Sequence, residues 1–336
     1  MKAIVFTEHG LPIDDPRALF DSELPDPTPG HRDLLVEVKA VSVNPVDTKV
    51  RAGKGLTQQP RVVGWDAVGV VRAVGADVTL FQPGDEVFYA GAIDRPGSYS
   101  ELHLVDERIV GHKPKSLDDA SAAALPLTSI TAWELLFDRL GIAEHSGEGQ
   151  SLLIVGAGGG VGSILTQLAR QLTRLTVVGS ASRPDTQQWV KALGAHHVID
   201  HSQPIPEQLK KVGVGEVDYV ISLTHTDSHF AQLVEALRPQ GRLALIDDPA
   251  QLDVTPMKRK SLSLHWELMF TRSLYETADM IKQHELLNRV AELVDSGVLK
   301  TTLGEHFGAI NAANLRRAHA LVESGKAKGK IVLEGF

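Results

Sequence analysis

The residues best suited to chemistry lie in the run Val155-Gly156-Ala157-Gly158-Gly159-Gly160-Val161-Gly162. Before it, Leu152 to Val155 is a continuous apolar run, as expected of a strand buried on both faces. After it, Ile164, Leu165, Leu168 and Leu172 recur at helical spacing. A glycine turn between such a strand and such a helix offers a phosphate free backbone N–H groups and the positive end of the helix dipole. A strict Gly-x-Gly-x-x-Gly frame fails from Gly156, because Val161 takes its last place. The frame Ala157-x-Gly159-x-x-Gly162 holds, with alanine first. Gly159 would let the backbone approach a pyrophosphate, and Gly162 would let the helix pack closely on the strand. Ala157, Gly158, Gly159, Gly160, Val161 and Gly162 are therefore expected to bind a dinucleotide.

A site that prefers NAD places an acid about 20 residues beyond this fingerprint, on the ribose hydroxyls. Here the stretch reads Gly179-Ser180-Ala181-Ser182-Arg183, and no acid occurs between Leu175 and Pro184. Hydroxyls and a guanidinium suit a 2′-phosphate. NADPH is expected over NADH, with Ser180, Ser182 and Arg183 at the phosphate. Leu223 and Ile246 fall at the carboxyl ends of two further strands, where open α/β sheets bind ligands.

Other chemistries find little support. No His-Glu-x-x-His, Gly-x-Ser-x-Gly or P-loop lysine motif occurs. The absence of cysteine removes disulfides, thiolate nucleophiles and sulfur-ligated zinc. The histidine pairs His197/His201 and His225/His229 read as polar residues near a cofactor pocket or at the surface, not as metal ligands. A net charge of −8 argues against a nucleic-acid partner.

The elements that must position the turn follow from the patterning. The 336 residues suggest two domains at roughly 150 residues each. Residues 1–125 are strand-rich: Leu34 to Val41 alternates, Ala67 to Val74 closes at Gly75, and Pro83-Gly84-Asp85 introduces Glu86 to Tyr89. Short strands at this spacing suggest a small β-barrel or sandwich. From Pro126 to residue 270 strands and helices alternate, as in a doubly wound parallel α/β sheet. The strand from Leu262 to Phe270 presents Leu262, Leu264, Trp266, Leu268 and Phe270 on one face. Residues 271–336 read as a segment that packs back on the first domain. No secretory leader and no run of about 18 uninterrupted apolar residues is seen, so no membrane partner is expected. The chain is expected in the cytoplasm.

Taken together, the segments from Val43-Asn44-Pro45-Val46-Asp47 to Ala52-Gly53, Gly64-Trp65-Asp66-Ala67, Pro83-Gly84-Asp85-Glu86-Val87, Gly97-Ser98-Tyr99, Leu125-Pro126-Leu127-Thr128 and Gly329-Lys330-Ile331-Val332 resemble the medium-chain dehydrogenase/reductase family, and in it the zinc-free quinone oxidoreductase branch. The resemblance implies a GroES-like β-barrel catalytic domain, a Rossmann domain following it, and an active site in the cleft between them. Zinc alcohol dehydrogenases of this family hold the metal with Cys, His and Cys. Asn44 and Trp65 stand at the first two of these positions, and Leu125-Pro126-Leu127 stands in the region of the third, so no zinc is expected. The resemblance assigns Asn44 as the hydrogen-bond donor to a substrate oxygen, or else as a residue that only fixes its own loop. It assigns Asp47 to holding that loop, or less readily to general-acid work, Thr131 to the nicotinamide, His201 to the adenosine end and Lys330 to the phosphates. The activity implied is hydride transfer from NADPH to a quinone or α,β-unsaturated carbonyl. A zinc-dependent alcohol dehydrogenase and a low-turnover NADPH-binding structural or regulatory protein are the alternatives. A homodimer joined through residues 262–270 is also implied.

Overall fold

The apolar runs read above assemble into a six-stranded sheet. A computed structural model describes residues 1–336. Its central strands are β1 (Ser151–Val155), β2 (Thr176–Ser180), β3 (His197–Ile199), β4 (Val217–Ser222), β5 (Leu237–Leu245) and β6 (Ser263–Trp266). They lie in the order β3-β2-β1-β4-β5-β6, and every neighbouring pair is parallel. Parallel neighbours need crossovers, and α1 (Gly160–Leu172), α2 (Pro184–Ala192), α3 (Ile205–Lys211) and α4 (Thr226–Ala236) lie in them. All of β1 is buried, which explains why its sequence is apolar without alternation. Leu153, Val155, Val178, Val220, Leu233 and Leu243 share its core.

The strand expected over residues 262–270 is shorter than its alternation suggested. Only Ser263–Trp266 pairs with β5. Beyond it Glu267 is buried with its carboxylate 2.6 Å from Arg139 Nε, and Phe270 leads into the short helix Thr271–Leu274. β6 is a sheet edge, and Trp266 and Leu268 near it are exposed.

The chain divides into two compact units, Met1–Ile130 with Phe270–Phe336, and Thr131–Met269. In the first unit a seven-stranded, mostly antiparallel sheet is built around the long strand Asp33–Val43. The strand Lys330–Glu334 pairs antiparallel with its end, Ile331 opposite Val43, so the tail completes the first unit. A three-stranded antiparallel sheet of Phe20–Glu23, Lys2–Glu8 and Leu56–Val62 adds to this unit. The helical run Asp119–Arg139 is long and apolar enough to cross a membrane by length and composition, but 83% of its most apolar window is buried in the protein, as in a core helix.

Candidate functional site

The glycine turn joins β1 to α1 with each glycine placed for its own reason. Gly156 takes φ +81°, in the left-handed region that favours glycine. A Cβ on Gly162 would lie 2.5 Å from both Ala157 Cα and Gly156 O, so the helix meets the turn only through a bare backbone. Gly159 differs. Its backbone is extended, with φ −80° and ψ −176°, and a Cβ there would meet only Gly156 O, at 3.6 Å. The fold itself does not require glycine at this position. Gly160 and Val161 follow, half-buried, in the first turn of α1, where helical N–H groups have no partner within the helix. Ala157 is buried and spends its N–H on Ser180 O, 3.0 Å away, so it shapes the turn. Gly158 is buried as well, its Cα hydrogen facing Thr186, where a Cβ would come within 2.9 Å. These features fit a diphosphate laid against Gly159 and the head of α1.

At the end of β2 the hydroxyls expected at the phosphate part company. Ser180 is fully buried; its Oγ accepts the N–H of Gly156 at 3.2 Å and lies 3.0 Å from His201 Nδ1. Its expected contact with the cofactor is therefore corrected: the hydroxyl ties the turn to the next strand. Ser182 is exposed, and Arg183 is half-buried with Nε 3.2 Å from Asp185 Oδ1. Leu223 and Ile246 are half-buried just beyond β4 and β5, at the carboxyl edge.

The catalytic candidates of the first unit converge on a buried polar cluster. Asp66, fully buried, accepts from the Ser42 hydroxyl (2.8 Å), the Asn44 amide (2.8 Å), the Leu127 N–H (2.7 Å) and the Lys330 ammonium (3.0 Å). Lys330 also donates to Val43 O at 3.1 Å and to Asn44 Oδ1, so its three N–H groups have three acceptors. Two expectations are corrected here. Lys330 is buried and has no N–H left for a phosphate. Asn44 is buried, and its amide nitrogen donates to Trp65 O and Asp66 while its oxygen accepts from Lys330, so it fixes its loop and has nothing left for a substrate oxygen.

Asp47 adjoins that cluster through Asn44. Its Oδ2 accepts the Asn44 N–H at 2.8 Å and the Tyr99 hydroxyl at 2.7 Å. His319 Nε2 lies 3.4 Å from the same hydroxyl. Arg51, in the same segment, is buried, donating to Leu11 O at 2.7 Å and pairing with Glu323. Thr131 is buried on the helix Pro126–Trp133.

The site does not fit a zinc ion. Trp65 is buried and donates its indole N–H to Ala92 O at 3.0 Å, and indole has no lone pair to give a metal. The carbonyl of Asn44 already holds an ammonium, which would repel a second cation. No group of three or more His, Asp or Glu side chains is placed to hold a metal.

Comparison with known proteins agrees on this architecture. Residues 30–115 match the alcohol dehydrogenase GroES-like domain, and residues 193–333 match the zinc-binding dehydrogenase domain. A zinc-type alcohol dehydrogenase-like protein of Staphylococcus aureus is 41% identical over 310 residues, covering 91% of this chain and 92% of its own. The chain belongs to the medium-chain dehydrogenase/reductase family. Within it the quinone oxidoreductase-like branch is the relevant one, with a Rossmann unit and a GroES-like unit. A crystal structure from Rhizobium etli CFN 42, described as a zinc-dependent alcohol dehydrogenase, superposes with a TM-score of 0.96 at 58% identity, covering 100% of this chain and 98% of that one. Escherichia coli quinone oxidoreductase complexed with NADPH superposes with a TM-score of 0.84 at 25% identity, covering 99% and 100%. The chain is thus an oxidoreductase of this family.

Sequence reasoning gave no role to Asp66, Tyr99 or His319. Asp66 and Tyr99 stand inside the quoted Gly64-Trp65-Asp66 and Gly97-Ser98-Tyr99 segments, but nothing local tells that their partners lie at residues 330 and 319.

Burial pushes the Asp47 carboxyl up to about 7, against the pull of the Asn44 N–H and the Tyr99 hydroxyl. The folded value lies above the ordinary 3.8 of an aspartate, so the fold favours the protonated form. That contribution is complete below the unfolded value and is lost as pH rises through the folded one. Stability should therefore fall by roughly 2 kcal/mol between about pH 5 and pH 8 through this group, and Asp47→Asn, which keeps an acceptor for both donors, should flatten the fall. Urea midpoints of both proteins across that range check it; parallel curves would refute the assignment.

Proposed function

We propose that the protein is an NADPH-dependent reductase of quinones or α,β-unsaturated carbonyls that works without a metal. The observation that carries this reading is Gly159. Its missing side chain answers no need of the backbone and no close neighbour, so the space at the head of α1 is kept for a ligand. The preference for the phosphorylated cofactor is supported by exposed Ser182, by Arg183 and by the absence of any carboxylate over residues 176–183. The NADPH bound to the similar E. coli enzyme supports it further.

When bound, NADPH supplies the hydride. The turn and the α1 dipole hold and orient the diphosphate. Reduction of a polarised acceptor needs orientation and a donor for the oxygen on which charge develops, not a Lewis acid. With Asn44 committed to Lys330 and Asp66, we keep Thr131 at the nicotinamide and assign the substrate oxygen to neither. Alcohol oxidation at zinc would need ligands that Asn44, Trp65 and Leu125 to Leu127 do not provide. We further read the β6 edge as the line along which a second copy pairs.

NADPH oxidation assayed with a panel of quinones and alkenals tests the reading. Turnover undiminished by a chelator is expected, and Arg183→Ala is expected to weaken NADPH about tenfold while leaving NADH alone. Cofactor binding without turnover on any acceptor would favour a structural or regulatory protein. Loss of activity on chelation, restored by zinc, would overturn the metal-free mechanism.

A further inference from the structure

Three histidines meet near the carboxyl edge of the parallel sheet. His201 follows β3, and its Nδ1 lies 3.0 Å from Ser180 Oγ at the end of neighbouring β2. His229, on α4, sets its ring edge-on to His201, with centroids 5.7 Å apart and planes at 65°. His225, the residue before α4, accepts the His229 backbone N–H at its carbonyl, 3.2 Å away. Such a cluster is costly to charge: each imidazole opposes protonation of the next.

Ser180 fixes where this cluster stands. Its Oγ also accepts the N–H of Gly156, the first residue of the glycine turn. A dinucleotide on such a turn has its adenosine ribose at the end of the strand that follows the fingerprint helix, which here is β2. His201 is hydrogen-bonded to Ser180 at that strand end, two residues before Ser182 in the chain. We propose that His201, together with His229, is a proton-linked reader of the 2′-phosphate, so that the preference for NADPH over NADH strengthens as pH falls. The proposal rests on the reading that the turn binds this cofactor, and adds to it how the cofactor is chosen.

The surroundings suit that role. Burial first, then the neighbouring histidines, hold His201 and His229 below the ordinary histidine value, so both are largely neutral near pH 7 without ligand. Asp200 acts against this at His201, and Asp227 at His229. Arg183, paired with Asp185, is the fixed cation of the β2 end. A phosphate monoester brings about −1.5 to −2 charges, enough to reverse the balance at the nearest imidazole. Ser180 tolerates both states of His201, since a hydroxyl donates to neutral Nδ1 or accepts from protonated Nδ1–H.

Affinities of the full chain for NADPH and NADH, measured at about pH 6.5, 7.5 and 8.5, test this, because the 2′-phosphate stays largely dianionic across that window. NADPH affinity should fall roughly tenfold over the window while NADH affinity stays level. Calorimetry in buffers of different ionisation enthalpy should show close to one proton taken up per NADPH near neutral pH and none per NADH. His201→Asn should lose most of the pH dependence and the proton uptake, and retained NADH affinity shows that the variant is folded; His229→Asn should alter the midpoint. Level NADPH affinity in the unmodified chain, or a slope unchanged in both variants, overturns the proposal. If NADPH binds at none of these pH values, the reading of the turn itself fails and this one with it.

Discussion

Lys330→Met is expected to destabilise the first unit by about 3–5 kcal/mol. The lysine is one of four donors to the fully buried carboxylate of Asp66, and the only one carrying a full positive charge. Removing it leaves that carboxylate, the Asn44 carbonyl and the Val43 carbonyl without the partner that offsets their desolvation. Adding Asp66→Asn should restore part of the loss, because the residual cost is an unpaired charge and not a missing contact. Chemical denaturation measures the loss. Hydrogen exchange localises it, with protection expected to drop along Asp33–Val43 and Lys330–Glu334 and to hold in β1 and β4. A loss below about 1 kcal/mol would mean that Asp66 is satisfied by its three neutral donors.

Gly159→Val is expected to raise the NADPH dissociation constant roughly 30- to 100-fold, the equivalent of about 2–3 kcal/mol of steric conflict, and to cost only about 1 kcal/mol of stability through the weaker N-cap of α1. The dissociation follows from the local geometry. The extended backbone at residue 159 is one that valine adopts readily, and its Cβ would meet no protein atom closer than 3.6 Å. Gly162→Ala is the contrasting case, since its Cβ would sit 2.5 Å from two backbone atoms and must damage the fold itself. Thermal unfolding and cofactor titration of the two variants separate these effects. A Gly159→Val protein that binds NADPH normally would place the diphosphate elsewhere.

What could be read from the sequence was what is decided locally. Leu152–Val155 announced β1 because burial on both faces demands an unbroken apolar run, and the spacing from Ile164 to Leu172 announced α1 because one face packs on the sheet. The strand Leu56–Val62 has no such signal: Leu-Thr-Gln-Gln-Pro-Arg-Val is mostly exposed and carries a proline, so its pairing with Lys2–Glu8 has no hydrophobic pattern to advertise it. At the site, the turn was legible and the roles of Asn44 and Lys330 were not. Their meeting depends on a strand pairing that joins residues 286 positions apart, and side chains that look available in a sequence prove to be one another's partners. Ser180 was misplaced for a similar reason, since only the adjacency of β1, β2 and β3 shows that its hydroxyl faces Gly156 and His201.

The pairing of Lys330–Glu334 with the long strand near the start of the chain also sets an order of events during synthesis. The Rossmann unit is one uninterrupted stretch, Thr131–Met269, and can close on itself while the ribosome is still adding the remainder. The GroES-like unit cannot. Its first 130 residues emerge early, yet Asp66 waits without its cation, and the edge at Val43 without its neighbour, until the whole Rossmann unit and the segment through Glu334 have followed. The portion made first is thus completed after the Rossmann unit, and a chain that stopped before Lys330 would carry a finished nucleotide fold tethered to an open sheet.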